Sequence, residues 1–251
     1  AAILRSPYGH ARITSIGGDR ARQLPGVKAV LTCQDVARIS KPFKPGRYSA
    51  GLRVPIPEFA TAVDKVRYVG EPVAMVAAET RPQAEDALDL IDVDYAPLQA
   101  VTSTDAAADP SAALLYEELG DVDQAFARAD RVVRDSLRIH RYSSTPLEPF
   151  ACMVEHTPER ITIWCNSQAP EVIYEAVTEA LGIDHVRVIV PDIGGGFGQK
   201  IHLIRKYVVL TALMAVKTGR PVKWIEDRSE HMMAGGHSCD QEFDVEAAVT
   251  S

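Results

Sequence analysis

Four glycines crowd five consecutive positions, Gly194-Gly195-Gly196-Phe197-Gly198, with Gln199 and Lys200 directly behind them. The run before them, residues 185–193, alternates and is rich in valine and isoleucine, which predicts a strand. The apolar run after them, residues 201–216, is too long for a strand and predicts a helix. Glycine lets a backbone turn tightly between the two and approach a ligand closely. Such a turn also sets free N–H groups beside the positive end of a helix, where anionic groups are stabilised. Two phosphate-loop patterns nevertheless fail here. The Walker pattern meets Gln199 at its last glycine, and Ile201 follows Lys200 where it needs Ser or Thr. The dinucleotide pattern, started at Gly194, also meets Gln199 in place of its third glycine. A plain glycine turn joining strand to helix is the alternative. Phe197, large and apolar inside the loop, favours a loop packed against something.

At 251 residues the chain is long enough for one large domain or two modest ones, each with a real core. A formal net charge of -7 denies it the basic field that nucleic acid or an anionic membrane surface would need. No apolar run approaches the roughly 20 residues that span a bilayer. Cys33, Cys152, Cys165 and Cys239 are scattered without a CxxC pair. They make a poor zinc or iron–sulfur set and read as free thiols in a reducing compartment. The chain opens in a strand-like pattern at Ala1-Ala2 with no initiating Met, and closes just after Phe243, Val245 and Ala247 alternate with polar residues. A strand cut there would leave open backbone groups, so a piece of a longer polypeptide is expected.

In chain order, residues 2–100 read as a compact α+β unit. Strands are expected at 2–5, 11–16, 27–32 and 93–101, with two more segments over 66–76 split at Gly70. Helices are expected at 19–24 and 81–90. Residues 41–57, rich in proline and glycine, read as a surface loop, and 102–111 as a linker. Next come a short helix at 121–129, a strand at 131–142, and a hairpin of 151–155 with 161–165. A helix at 171–181 ends at Gly182. Gly219 and Pro221 stop the long helix after the glycine loop, followed by a strand at 222–225 and a helical turn or two at 227–233. The expected domains are 1–101 and 118–251, joined by a linker at 102–117.

Gln168 lies where the second hairpin strand gives way to a helix, in Asn166-Ser167-Gln168-Ala169-Pro170. Capping of that helix would account for Asn166 or Ser167, but Gln is not a favoured cap. This turn and the glycine loop both follow a strand and feed a helix. If the two strands are neighbours, both turns face one crevice, the usual ligand position in α/β layers. Glu148, between Pro146 and Pro149 on a stiff loop, is either a base or, as most carboxylates are, a surface or structural group. His140, His231 and His237 are too scattered for metal ligands. Residues 226–230 read as a solvated helix start, and Gly235-Gly236 as a tight turn.

Several of these segments, in order and at compatible distances, resemble the molybdenum-binding large subunit of the xanthine oxidase family, the aldehyde oxidase and carbon monoxide dehydrogenase types above all. Ile3-Leu4-Arg5-Ser6-Pro7, His10-Ala11-Arg12-Ile13, Leu24-Pro25-Gly26-Val27 and Val69-Gly70-Glu71-Pro72-Val73-Ala74 resemble its N-terminal α/β hammerhead domain. Pro146-Leu147-Glu148-Pro149, Ser167-Gln168-Ala169-Pro170, the glycine loop and Gly219-Arg220-Pro221-Val222-Lys223-Trp224 resemble the first part of its mixed α/β molybdopterin-binding domain. The resemblance implies an α+β chain in which a pterin dithiolene carries the metal, so no protein metal ligand is expected. It implies that Gln168 hydrogen-bonds an oxo group on molybdenum. Gly194, Gly195, Gly196, Phe197 and Gly198 would line the metal and pterin, with backbone N–H groups offered from Gly195 onward.

The implied cofactor is molybdenum–molybdopterin cytosine dinucleotide. The implied reaction oxidises an aldehyde, N-heteroaromatic or similar small substrate with oxygen from water, or alternatively carbon monoxide. Electrons would pass to an iron–sulfur subunit and an FAD subunit in a dimer of heterotrimers, in the cytoplasm, with the periplasm left open. A non-catalytic module holding a nucleotide phosphate is the rival reading. The family's glutamate base would lie beyond Ser251, so no catalytic residue is expected here and these residues alone are expected to be inactive. Ile201 stands where purine-binding members carry a glutamate, which weighs against xanthine. Phe150 stands where many bacterial relatives have arginine.

Overall fold

A computed structural model describes residues 1–44, 58–107 and 120–250, which fall into two compact units. Most of the expected 41–57 loop and of the expected 102–117 linker lies outside the described residues. The larger unit falls within Ala1–Gly46, Pro57–Ala100 and Ser144–Gly236, and the smaller draws on residues 101–143 and 237–251.

Three sheets build the larger unit. In the first, Pro72–Ala78 lies between Ala2–Arg5 and Val27–Thr32, antiparallel to both. The central strand is apolar along its length because both of its faces are covered. One face packs Val30, Ala74 and Val76 on Ala84 and Ala87 of helix Arg81–Leu88. The other sends Ile3, Leu31 and Met75 into the main core. A second antiparallel sheet runs Lys65–Val66, Ala11–Gly17, Asp92–Pro97. The third has the order Val186–Ile189, Ile161–Cys165, Ala151–His156, Val222–Ile225; its first pair is parallel and the others antiparallel.

The long helix Ile204–Thr218 shares one core with Leu31 and Met75 of the first sheet, Ile163 of the third, and Ile173 and Val177 of helix Pro170–Leu181. It is covered nearly all round, which is why residues 207–215 carry no charge. Tyr207 from this helix stacks 4.6 Å from Trp224 and 5.8 Å from Phe150, centroid to centroid. In the smaller unit, Arg131–Ile139 pairs with Gln241–Val249 in a nine-residue antiparallel ribbon. The alternating residues 243–247 therefore have a strand partner.

Three local expectations change. Helix Cys33–Ile39 was not anticipated, although Thr32 and Asp35 form a capping box at its start. The strand before the glycine loop is only Val186–Ile189, ending short of Pro191, which has no N–H for a ladder. The expected 201–216 helix is preceded by a separate turn, Gln199–His202, with Lys200 at φ -85 and ψ 19 breaking continuity. Gly182 and Gly219 end their helices in the left-handed conformation, at φ 70 and φ 61.

Candidate functional site

Ile161–Cys165 and Val186–Ile189 are neighbouring parallel strands, with helix Pro170–Leu181 as the crossover. The turn carrying Gln168 and the glycine loop consequently leave the same end of the sheet, and they bond directly. The Gln168 N–H donates to the Lys200 carbonyl at 2.9 Å. The N–H groups of Gly198 and Lys200 both donate to Gln168 Oε1 at 3.2 Å. Two donors identify that atom as the amide oxygen, so the Nε2 end is the free one. It has no partner among the described residues, and the side chain is exposed. A Cβ at Gly196 would overlap the Gln168 carboxamide, so glycine is required for this approach.

Left-handed backbone recurs through the loop, at Gly195 (φ 92), Phe197 (φ 49) and Gly198 (φ 85). Phe197 is the one non-glycine with positive φ among the described residues. Holding it there costs roughly 1–3 kcal/mol. The residue is 69% exposed, so it does not supply the packing that its presence in the loop suggested. The Gly194 N–H goes to Glu148, the Gly198 N–H to Gln168, and the Gln199 N–H to the Gly196 carbonyl at 2.9 Å. Gly198 therefore does not offer its N–H outward as expected. The N–H groups of Gly195, Gly196 and Phe197 have no acceptor among the described residues. Nor does the long helix lend these groups its positive end, since it begins only at Ile204.

Glu148 takes the structural role among its alternatives. Its Oε2 accepts the Gly194 N–H at 2.7 Å and the Lys200 Nζ at 2.6 Å. Partial burial pushes the carboxyl up, but Lys200, the Gly194 N–H and Asn166 outweigh it and hold it below the usual carboxylate range. Neither Asn166 nor Ser167 caps the helix, which starts at Pro170 with Ala169 as an uncapped N-cap. Asn166 instead bonds the Pro149 carbonyl and the Ala151 N–H; Ser167 Oγ bonds the Lys200 carbonyl and the Ala169 N–H. Pro170 lacks an N–H, which removes one of the groups a cap would serve.

The 226–230 segment also differs from expectation. Asp227 caps helix Arg228–Ala234 in a box with Glu230, but Glu226 turns inward. Its Oε2 accepts the Phe150 N–H at 3.1 Å and meets His231 Nδ1 at 2.7 Å. Among the described residues no group of three or more His, Cys, Asp or Glu could hold a metal ion. The four cysteines are free thiols, and burial pushes Cys152 up to about 12 and Cys165 up to about 11.

Residues 107–251 match the molybdopterin cofactor-binding domain, and residues 1–99 match the α/β hammerhead domain of aldehyde oxidase and xanthine dehydrogenase. The chain is 34% identical to the nicotine 6-hydroxylase large subunit of Paenarthrobacter nicotinovorans, over 100% of this chain and 32% of that protein. It is also 34% identical to the carbon monoxide dehydrogenase large chain of Afipia carboxidovorans, over 99% of this chain and 33% of that one. The solved structure of quinoline 2-oxidoreductase from Pseudomonas putida 86 superposes with a TM-score of 0.82 at 34% identity, covering 99% of this chain and 33% of that chain. The chain spans about a third of the length of each of these three relatives.

Proposed function

Because the chain belongs to the xanthine oxidase family of molybdopterin-dependent oxidoreductases, with a hammerhead domain followed by molybdopterin-binding residues, we propose that it supplies the cofactor wall of a molybdenum hydroxylase large subunit. The reaction proposed is oxidation of an aldehyde, N-heteroaromatic or similar small substrate with oxygen taken from water. One observation carries this reading: among the described residues the Gln168 Nε2 and the Gly195, Gly196 and Phe197 N–H groups are left without acceptors at one end of the sheet. All four donors are neutral, and the adjacent charges of Glu148 and Lys200 answer each other at 2.6 Å. Such a set suits oxo and pterin oxygens, which need donors without an added countercharge.

Gln168 and Gly194 to Gly198 would hold the molybdenum–pterin group, which when bound supplies two-electron oxidation of the substrate. The chain's own residues bind and orient. Gln168, fixed through its oxygen by two N–H groups, presents its amide protons in one direction. The loop presents three further N–H groups, and the exposed Phe197 ring gives the site an apolar edge that excludes water. Glu148 is committed to Lys200 and Gly194 and leaves proton abstraction to another group. We assign the cofactor as the cytosine dinucleotide form, the electron acceptors as an iron–sulfur subunit and an FAD subunit, the assembly as a dimer of heterotrimers, and the location as the cytoplasm. No helix among the described residues is long and apolar enough to cross a membrane. Identity to the carbon monoxide dehydrogenase chain equals that to the nicotine hydroxylase, which makes carbon monoxide oxidation the second reading.

Metal and nucleotide analysis of the full-length protein tests the proposal. Near-stoichiometric molybdenum, with CMP released by acid hydrolysis, is expected. Absence of both from cells that make the cofactor would favour the nucleotide-binding module instead. Gln168→Ala is expected to keep the fold and lower turnover about 10- to 100-fold, as loss of an orienting hydrogen bond at a metal does. Turnover equal to the wild type would remove Gln168 from the site.

A further inference from the structure

Lys200 lies fully buried behind the glycine loop, in the short turn Gln199–His202. A buried ammonium is costly unless it is paired. Its Nζ donates to Glu148 Oε2 at 2.6 Å, and the same oxygen accepts the Gly194 N–H at 2.7 Å. The Glu148 N–H returns a bond to the Gly194 carbonyl at 3.3 Å. One carboxylate oxygen thus holds the residue that opens the loop and the residue that closes it. The residues between them must bulge, and three of these take left-handed φ values.

We propose that Glu148 is a positioning residue whose carboxylate, locked onto Lys200, pins both ends of the glycine loop and so sets the direction of the Gly195, Gly196 and Phe197 N–H groups. Its consequence for turnover rests on the loop being a cofactor wall; its geometry does not. A Cβ at Gly194 would stand 2.7 Å from Glu148 Cβ, so the close approach admits only glycine. Pro149 restricts the backbone of Glu148 itself, which narrows the directions its side chain can take toward Gly194 and Lys200. Lys200→Met removes the cation, and Glu148→Gln removes the anion while keeping an oxygen for the Gly194 N–H.

Hydrogen–deuterium exchange on the full-length protein, with and without cofactor, reads the lock directly. In Glu148→Gln the bonded amides of Gly194, Gly198, Gln199 and Lys200 should exchange at least about tenfold faster while the Ile204–Thr218 helix keeps wild-type protection. In the loaded enzyme kcat should fall about tenfold or more with KM nearly unchanged, since orientation and not binding is lost. The double variant, with neither charge buried, should still exchange fast at these amides while the rest of the unit keeps wild-type protection, which separates loss of the lock from the cost of an unpaired buried charge. Wild-type exchange at these amides in Glu148→Gln overturns the lock, as does a loss of protection spread over the whole unit in the double variant. Exchange in the cofactor-free protein does not depend on molybdenum. A protein that never binds the metal therefore overturns the proposed function alone, and an unaltered loop in a loaded enzyme overturns the lock alone.

Discussion

Gly196 and Gly198 stand two positions apart, and glycine is needed at each for a different reason. At Gly196 an added methyl would occupy the space of the Gln168 carboxamide. At Gly198 a Cβ would meet nothing within 4 Å, but the backbone sits at φ 85. Gly196→Ala is expected to displace Gln168 and cut the molybdenum content of the full-length protein about tenfold or more, with little change in stability. Gly198→Ala should leave Gln168 in place and cost about 1–2 kcal/mol of stability through backbone strain alone. Metal analysis beside denaturant unfolding separates the two, and equal effects on both measurements would refute the distinction. The glycines and Gln168 stood out in the sequence because four glycines in five positions are more than one turn needs and because Gln is not a favoured cap. Glu148 did not, because a carboxylate on a proline-flanked loop looks the same whether its partner is water or a buried lysine.

Among the elements, the long helix Ile204–Thr218 was the easiest to anticipate, and its burial explains why. Residues 207–215 are apolar except for Tyr207 and Thr211, whose hydroxyl donates back to the Tyr207 carbonyl at 2.7 Å. Leu210 is fully buried among both neighbouring sheets' side chains. Leu210→Ala should cost about 2–5 kcal/mol in urea unfolding, and a cost below about 1 kcal/mol would mean that the core collapses onto the gap. Helix Cys33–Ile39 escaped notice for the opposite reason. Only Cys33 and Val36 are buried in it, too few to set a period, and its one clear signal was the cap at Thr32. The helix after the glycine loop splits at Lys200 because that residue's side chain and carbonyl are both claimed from outside the helix, by Glu148, Gln168 and Ser167.

Across the larger unit, Arg5 joins the first strand to the last helix. Its guanidinium bonds Glu230 at 3.0 Å, the Gly70 carbonyl at 3.0 Å and Tyr207 at 3.2 Å, with Glu226 at 3.9 Å. It also lies 5.0 Å from the Tyr207 ring centroid. Burial alone would lower its affinity for a proton, but Tyr207 and Glu230 outweigh that and hold the cation firmly charged. Arg5→Ala strands the wholly buried Glu226 carboxylate with His231 and is expected to cost about 3–5 kcal/mol. Thermal and denaturant unfolding of the variant would show it, and a change under about 1 kcal/mol would mean that Arg5 is dispensable. By itself the sequence determined where the chain turns and stops: the glycine loop, the left-handed ends at Gly182 and Gly219, the hairpin and the buried helix. Those features follow from local backbone geometry and from periods of two and 3.6 residues, which are written in neighbouring positions. Only the tertiary structure decided that Val186–Ile189 lies beside Ile161–Cys165, that Gln168 reaches Gly198 across 30 positions, and that Glu148 reaches Lys200 across 52. A period tells which face of an element is apolar, but not which distant element covers it, and a polar side chain carries no mark of its partner until the chain has crossed back to supply one.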